Sequence, residues 1–152
     1  MRVRAHIITS SALSGILYFI FKSFPMAAAA FLAGVFIDLD HVLEGYINFG
    51  RKFNIFKTIE VSENARFKTA YLFLHSYELL LIYTLAAYFL KLGPVWFGIA
   101  VGLIVHMVLD NTFNPFYPNG LFFIKRWQEK FKYARIINID NHLKRVGNRK
   151  KK

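Results

Sequence analysis

Four long apolar segments, separated by short polar or basic stretches, dominate the chain up to Asp110. They cover residues 5–21, 24–37 (continuing to 43), 69–90 and 92–109. A helix needs about 20 predominantly apolar residues to cross a bilayer, and the third and fourth segments have that length. The first two are shorter, and they need a thinner bilayer or flanking side chains that reach the interface. The pattern therefore predicts four transmembrane helices.

The connections between these segments indicate how the helices run. Lys22 and Ser23 alone separate the first two segments, and Lys91-Leu92-Gly93-Pro94 separates the last two. Such short connections allow only antiparallel helix pairs, and the Gly-Pro pair suits the end of one helix and the start of the next. The middle connection, residues 44–68, is long and basic, and the turn-rich residues 114–120 end the apolar region. We therefore predict an all-α, up-down-up-down, four-helix transmembrane bundle.

Composition supports a membrane location. Hydrophobic residues make up 55% of the chain and aromatic residues 18%, with 17 Phe. A secretory signal peptide is the alternative interpretation of the first segment. Because no clear cleavage site follows it, we expect this segment to remain as a helix.

The basic residues indicate the orientation of the bundle. The net charge is +11, and all but two of the 20 Lys and Arg residues lie in the N-terminus, the middle connection or the tail after residue 124. In a four-span protein these three regions lie on one side of the membrane. Positively charged flanks face the cytoplasm. We therefore expect a multi-pass protein of the cell (inner) membrane with both termini in the cytoplasm.

The C-terminal tail combines apolar and basic residues. Residues 121–132 place Trp127 and several other apolar side chains among Lys and Arg, which predicts an interfacial amphipathic helix with Trp127 at headgroup level. Residues 144–152 are expected to be disordered near anionic lipid, and His142 to be a solvated side chain. We therefore divide the chain into a membrane domain, 1–120, and a tail, 121–152. Membrane lipids are the expected partners; nucleic acid is not expected, although a cationic tail alone is able to bind it.

Ionisable residues interrupt the apolar segments at four places. They are His6, the run Asp38-Leu39-Asp40-His41, His75 with Glu78, and His106 with Asp110. Ionisable groups at membrane depth are rare and by default indicate a functional site. The topology inferred from charge puts all four places at the cytoplasmic ends of the helices. We therefore expect the four places to converge on one site.

The spacing and chemistry of these residues favour a metal site. His106 and Asp110 are four residues apart, and Asp38 with His41 and His75 with Glu78 are three apart, so each pair shares a helix face. Asp40 would point away from Asp38 on a regular helix. The chain has no Cys, so a metal must be held by His, Asp and Glu, which suits zinc, manganese or iron. Single His residues near an interface and helix ends that meet water are the ordinary alternatives, but they do not explain why four places coincide.

The order of these motifs resembles that of the predicted membrane-bound metal-dependent hydrolases. The resemblance is carried by the N-terminal His, Asp38-Leu39-Asp40-His41, His75-Ser76, and His106-x-x-x-Asp110 followed by Asn114-Pro115. That family comprises small four-helix inner-membrane proteins of bacteria and archaea, distantly similar to zinc-dependent phospholipase C. The resemblance covers about residues 1 to 120 and leaves the tail outside.

The resemblance, added to the residues themselves, implies a metal-dependent hydrolase of a phosphate or acyl ester. The substrate would be a small or lipid-like ester that enters from the cytoplasmic leaflet. The cofactor would be one or two divalent ions, zinc first, with manganese or iron as alternatives. Asp40 or Glu78 would act as general base. The expected metal ligands are His6, Asp38, His41, His75, His106 and Asp110.

One departure from the family pattern affects the ligand set. The family often has another His with Arg shortly before the His-Ser pair, whereas this chain has Arg66-Phe67-Lys68-Thr69-Ala70 there. Glu78 would then replace the missing ligand, or this chain would hold fewer ions.

Two other classes of protein share some of these features. A metal-ion or proton transporter also uses intramembrane acids and imidazoles, but it needs a polar path to the far side, where these segments are apolar. A non-catalytic membrane anchor whose basic tail binds a partner explains the tail but not the four ionisable places. The substrate, the metal and the oligomeric state do not follow from the sequence.

Overall fold

The computed structural model describes residues 3–63 and 67–139, and every regular element in that part of the chain is helical. Two isolated bridges, Thr69 with Lys132 and Phe116 with Ile137, are its only β-type pairings. The all-α prediction is confirmed for these residues, whereas the up-down-up-down arrangement stays a prediction. The helices are α1 (Val3–Phe21), α2 (Phe24–Phe36), α3 (Leu39–Phe49), α4 (Ile55–Glu63), α5 (Tyr77–Phe89), α6 (Pro94–Phe113), α7 (Phe123–Gln128) and α8 (Tyr133–Ile136), with a 3-10 turn at Gly50–Lys52.

Three helical stretches of the described chain are long and apolar enough to cross a membrane. They are Arg4–Phe21, Phe24–Lys52 and Pro94–Phe113. The apolar helix α5 has only 13 residues, and so it is about 20 Å long, well below the ~30 Å of a hydrocarbon core. The third segment was therefore predicted too long, since α5 is the only helix in it, whereas the first two segments lie within stretches of crossing length.

The third segment fails to form a full helix because its first part is held in another conformation. A helix from Thr69 was predicted, but residues 67–76 are non-helical and α5 begins only at Tyr77. The backbone N–H groups at the start of this stretch donate to distant acceptors: Lys68 to Asn48 Oδ1 at 3.0 Å and Ala70 to the Phe131 carbonyl at 2.8 Å. These donors are then not available for helical bonds. We call residues 67–76 the His75 segment.

The second segment and the middle connection also differ from their predictions. The predicted helix from 24 to 43 is two helices, because the chain turns at Ile37 and Asp38 between α2 and α3. Residues 44–68, predicted as a connection, contain the end of α3 and all of α4. Gly45 of α3 lies so close to Thr58 of α4 that an added Cβ would overlap the Thr58 side chain.

The described residues form two compact units. Unit 1 contains residues up to Asp38 and Tyr77–Asp110, which comprise α1, α2, α5 and most of α6. Its core includes Leu17, Met26 and Ala30. Gly98 and Gly102 of α6 lie against the carbonyl groups of Met26 and Ala30, so closely that a Cβ on either glycine would overlap a carbonyl oxygen. Small residues spaced by four allow this approach of helices in a membrane.

Unit 2 contains Leu39–Ser76 and the chain after Asn111. Its core unites the His75 segment with the tail through the buried residues Phe67, Ala70, Leu72, Tyr133, Ile136 and Ile137. The predicted long amphipathic helix of the tail is only the six-residue α7, and its Arg126 is fully buried. Unit 2 thus contains residues on both sides of the predicted boundary at 120. His142 and residues 144–152 lie outside the described residues.

Candidate metal centre

The predicted ligand His106 is buried in unit 1 and has its two ring nitrogens in different surroundings. Its Nδ1 lies 2.7 Å from the carbonyl oxygen of Gly34. A carbonyl can only accept a hydrogen bond, so Nδ1 carries the proton and Nε2 keeps a lone pair in the neutral ring. This bond also fixes the orientation of the ring, as is common for histidines that bind metals.

Two carboxylates face the other nitrogen of His106. Nε2 lies 3.5 Å from Asp38 Oδ1 and 3.6 Å from Asp110 Oδ2. A lone pair directed at two carboxylates requires positive charge between them, which either a second ring proton or a metal ion supplies. With His106 only 2% and Asp110 only 1% exposed, this arrangement is costly unless the charges are neutralised.

His6 completes the group. Its ring stacks on that of His106, with the centroids 4.0 Å apart, and its Nε2 lies 3.1 Å from Asp110 Oδ1. The Nδ1 atom of His6 is buried and has no hydrogen-bond partner among the described residues. Such an atom calls for a bound water, ion or substrate group. The two oxygens of Asp110 thus face two different imidazoles.

These four residues fit a divalent metal ion. One ligand atom from each of His6, Asp38, His106 and Asp110 lies within 4.8 Å of the others, and the group could hold a metal ion. We call these four residues the metal centre.

Local sequence explains how three helices bring these side chains together. His106 and Asp110 lie one turn apart on α6, whereas Asp38 follows the end of α2, where the chain turns. Close approach of the helices depends on Gly34, because an added Cβ there would lie 2.6 Å from Ser10 Oγ. Small residues at the contacts therefore set the distance across which the ligands face one another.

Unit 2 contains a second group of predicted site residues. Asp40 Oδ2 accepts the backbone N–H groups of Leu74 and of His75, the latter at 3.0 Å, and lies 3.2 Å from His75 Nδ1. The ring of His41 is 5.3 Å from that of His75, measured between centroids. Since a carboxylate only accepts, His75 Nδ1 carries the proton and its Nε2 is left with the lone pair. The turn at residues 37 and 38 lies between Asp38 and Asp40 along the chain.

The predicted relation between His75 and Glu78 is wrong. The two were expected three residues apart on one helix face, but His75 lies before α5, and Glu78 lies in its first turn. Glu78 is half-buried and belongs to neither of the His/Asp groups above. The roles of Asp40 and Glu78 as general base stay predictions, as does the convergence of all four places on one site.

Sequence reasoning missed the groups that hold the His75 segment. Glu44 is 1% exposed and accepts the Tyr71 N–H at 2.7 Å and the Asn48 amide at 2.7 Å. Arg126, assigned to the membrane surface, donates to carbonyl groups of this segment. Burial, and to a lesser degree the Glu44 charge, raises the pKa of the Tyr133 hydroxyl. No local pattern reveals these contacts, because Glu44 and Tyr71 are 27 residues apart.

Comparisons with known proteins do not identify a family for this chain. The sequence matches no protein-family model, and neither the curated proteins nor the solved structures include a match. The interpretation of the metal centre of unit 1 therefore rests on the positions of its own side chains.

Proposed function

We propose that this chain is a membrane-embedded hydrolase that uses a divalent metal ion to cleave a phosphate or acyl ester. The observation that supports it most is the His106 ring, whose Nδ1–H is taken by the Gly34 carbonyl while its Nε2 faces Asp38 and Asp110. A structural histidine in a core would need only hydrogen-bond partners. This one faces two carboxylates and so is arranged for positive charge, which a bound metal ion would supply.

Each residue of the metal centre would have its own role in hydrolysis. Two imidazoles and two carboxylates would hold zinc, manganese or iron. A bound divalent ion supplies Lewis acidity, polarising an ester oxygen and making water more acidic. His6, by stacking on His106, excludes water from one side of that ring. Asp38 is the partly exposed member, at 18% of its side chain, and so a substrate would approach from its side.

The membrane setting supports a lipid-like substrate. Three helical stretches are long and apolar enough to cross a bilayer, and the resemblance to the membrane-bound metal-dependent hydrolases points to the same setting. We propose a multi-pass protein of the inner membrane with both termini in the cytoplasm and the metal centre near the cytoplasmic leaflet. The general base would be Asp40 or Glu78, and His41 and His75 would be further ligands.

Purified protein in lipid nanodiscs tests this proposal. Wild type and the His106→Ala variant are offered phosphate monoesters, phosphate diesters and acyl esters, including phospholipids, with zinc or manganese added. We expect the wild type to turn over at least one substrate and the variant none. No turnover by wild type across the panel, together with metal-dependent ion flux in liposomes, would instead identify a transporter.

A further inference from the structure

A buried arginine of the tail donates hydrogen bonds to the His75 segment. Arg126 of α7 is 0% exposed, and its guanidinium donates to three backbone carbonyl groups of unit 2. The acceptors are His75 at 2.8 Å, Leu72 at 2.9 Å and Gly120 at 3.3 Å. Two of these three carbonyls belong to the His75 segment, so the guanidinium bridges across it.

Carboxylates of α3 also hold the same segment. Asp40 accepts the N–H groups of Leu74 and His75, and Glu44 accepts that of Tyr71. The backbone between these points includes Leu72 with a φ of 44°, a left-handed conformation that an L-residue adopts only at a cost. The carboxylates of Asp40 and Glu44 thus accept from backbone N–H groups of the segment, and the Arg126 guanidinium donates to its carbonyl groups. Together these hydrogen bonds hold the costly backbone conformation at Leu72.

The position of the His75 ring depends on this backbone. One carboxylate oxygen, Asp40 Oδ2, contacts both the backbone N–H and the Nδ1 of His75. A shift of the His75 peptide therefore changes the ring's hydrogen bond as well. Arg126 bonds the carbonyl of the same residue, and its planar fork of donors fixes direction in a way that a lysine ammonium does not.

We propose that Arg126 is a positioning residue for His75, and that the tail is a working part of the chemical site. Arg126 sets the backbone of the His75 segment, and the segment in turn keeps Nδ1–H on Asp40 and directs the Nε2 lone pair away from it. The importance of His75 for turnover rests on the proposed function. The positioning itself does not, and it can be measured without metal or substrate.

The test compares Arg126→Ala and Arg126→Lys with Arg135→Ala, which removes an exposed arginine of the same tail. Metal-free protein is examined by hydrogen exchange of the peptide covering residues 71–76 and by ¹⁵N NMR of the imidazoles. We expect Arg126→Ala to speed exchange of that peptide about tenfold or more, since hydrogen bonds to charged groups are lost, and to weaken the Nδ1–H signature of His75. Exchange in α6 should not change, and Arg135→Ala should behave as wild type.

Chemical rescue separates positioning from general loss of packing. Millimolar guanidinium should restore slow exchange, the His75 signature and any turnover to Arg126→Ala, whereas ammonium should not. Unchanged exchange and an unchanged imidazole signature in Arg126→Ala would overturn the proposal. So would equal acceleration in α6 by both Arg126 variants, because Arg126 would then support the whole fold. Failure of wild type to hydrolyse any ester would refute the hydrolase while these measurements still decided the role of Arg126.

Discussion

At the scale of single residues, His106 and His75 are oriented in the same way, each by a hydrogen bond from its Nδ1 proton to a different acceptor. Each has its Nδ1 proton held by an oxygen acceptor, the Gly34 carbonyl for His106 and the Asp40 carboxylate for His75. The acceptor selects the tautomer and leaves Nε2 with its lone pair. A ring that donates to a carboxylate is a stronger ligand than one that donates to a carbonyl. The Nε2 atoms of His75 and His106 therefore differ in ligand strength.

The first prediction concerns the metal centre. His106→Ala should lose the bound divalent ion, because it removes the nitrogen that faces Asp38 and Asp110. Wild type purified in detergent should carry at least about one ion per chain, and a chelator should lower its melting temperature, since an ion bound to the native state stabilises it by mass action. Elemental analysis and thermal melts measure both effects.

His142→Ala is the matched control, because it removes an imidazole from the tail rather than from the metal centre. It should retain both the ion and the effect of the chelator. Equal metal content in the two variants would show that His106 and Asp110 are a structural pair.

The residue scale also shows which parts of the site were predictable. His6, Asp38, His106 and Asp110 were recognised because each is an ionisable group within an apolar segment, and four of their atoms do come together. The actual contacts of Asp40 and Glu44 were not predictable, since both bond the backbone of a segment 27 to 35 residues away. The spacing of side chains reports on the faces of one helix and contains no information about such distant N–H donors.

At the scale of elements, the approach of α6 to α2 determines whether the ligands can meet. Gly98 and Gly102 allow the backbones to touch at Met26 and Ala30. α6 follows its predicted segment closely, whereas the second segment is divided between α2 and α3 at Ile37 and Asp38. The His75 segment is not helical, since its apolar residues pack in a local core with the tail. Hydrophobicity alone cannot distinguish a residue that faces lipid from one that packs in such a core.

The second prediction tests this helix contact. Gly102→Ala should destabilise the protein by about 1–3 kcal/mol, the usual cost of overpacking, because the new methyl group would overlap the Ala30 carbonyl. It should also weaken metal binding, since α6 carries two ligands and must move away. Unfolding in detergent and metal titration measure the two effects.

Gly15→Ala is the control for the second prediction. Gly15 is also a helical glycine, but nothing lies within 4 Å of an added Cβ there. Alanine should therefore be neutral or should stabilise α1 by about 0.5–1 kcal/mol through its better helix propensity. If both variants behaved alike, close packing of α2 and α6 would not be what limits the site.

At the scale of the whole molecule, the short helix α5 bears on the predicted topology. Three stretches have the length for a crossing, and α5 with 13 residues does not. The four-span topology requires α5 to cross as well, with a thinned bilayer or with flanking residues that complete the path. Without that crossing, an odd number of spans would put the two termini on opposite sides.

Reporter fusions provide the third prediction. Reporters at both termini should indicate the cytoplasm, and reporters inserted at Ser23 and Gly93 the opposite side, because all but two of the 20 basic residues lie in regions that the positive-inside rule keeps in the cytoplasm. An extracytoplasmic C-terminus would show that α5 does not cross, and it would remove the shared sidedness on which a single site depends.

The last prediction distinguishes hydrolysis from transport as the function of the protein. Glu78 is half-buried in the first turn of α5 and is not among the residues of the metal centre. If it is the general base, Glu78→Gln should keep the metal and lose roughly 10²–10⁴ in turnover. Asp40→Asn should also lower turnover, but by loosening the His75 segment, since a neutral amide oxygen is a weaker acceptor than the carboxylate Oδ2 that accepts the N–H groups of Leu74 and His75.

Hydrogen exchange of residues 71–76 separates the two variants. It should accelerate in Asp40→Asn, because Asp40 accepts the N–H groups of Leu74 and His75 in that segment, and it should stay at the wild-type rate in Glu78→Gln. A loss of turnover in Asp40→Asn with unchanged exchange would instead make Asp40 the base. In a transporter the same substitutions would alter metal-dependent ion flux in liposomes, and wild type would cleave no ester, since acids in a transport path move ions rather than activate water.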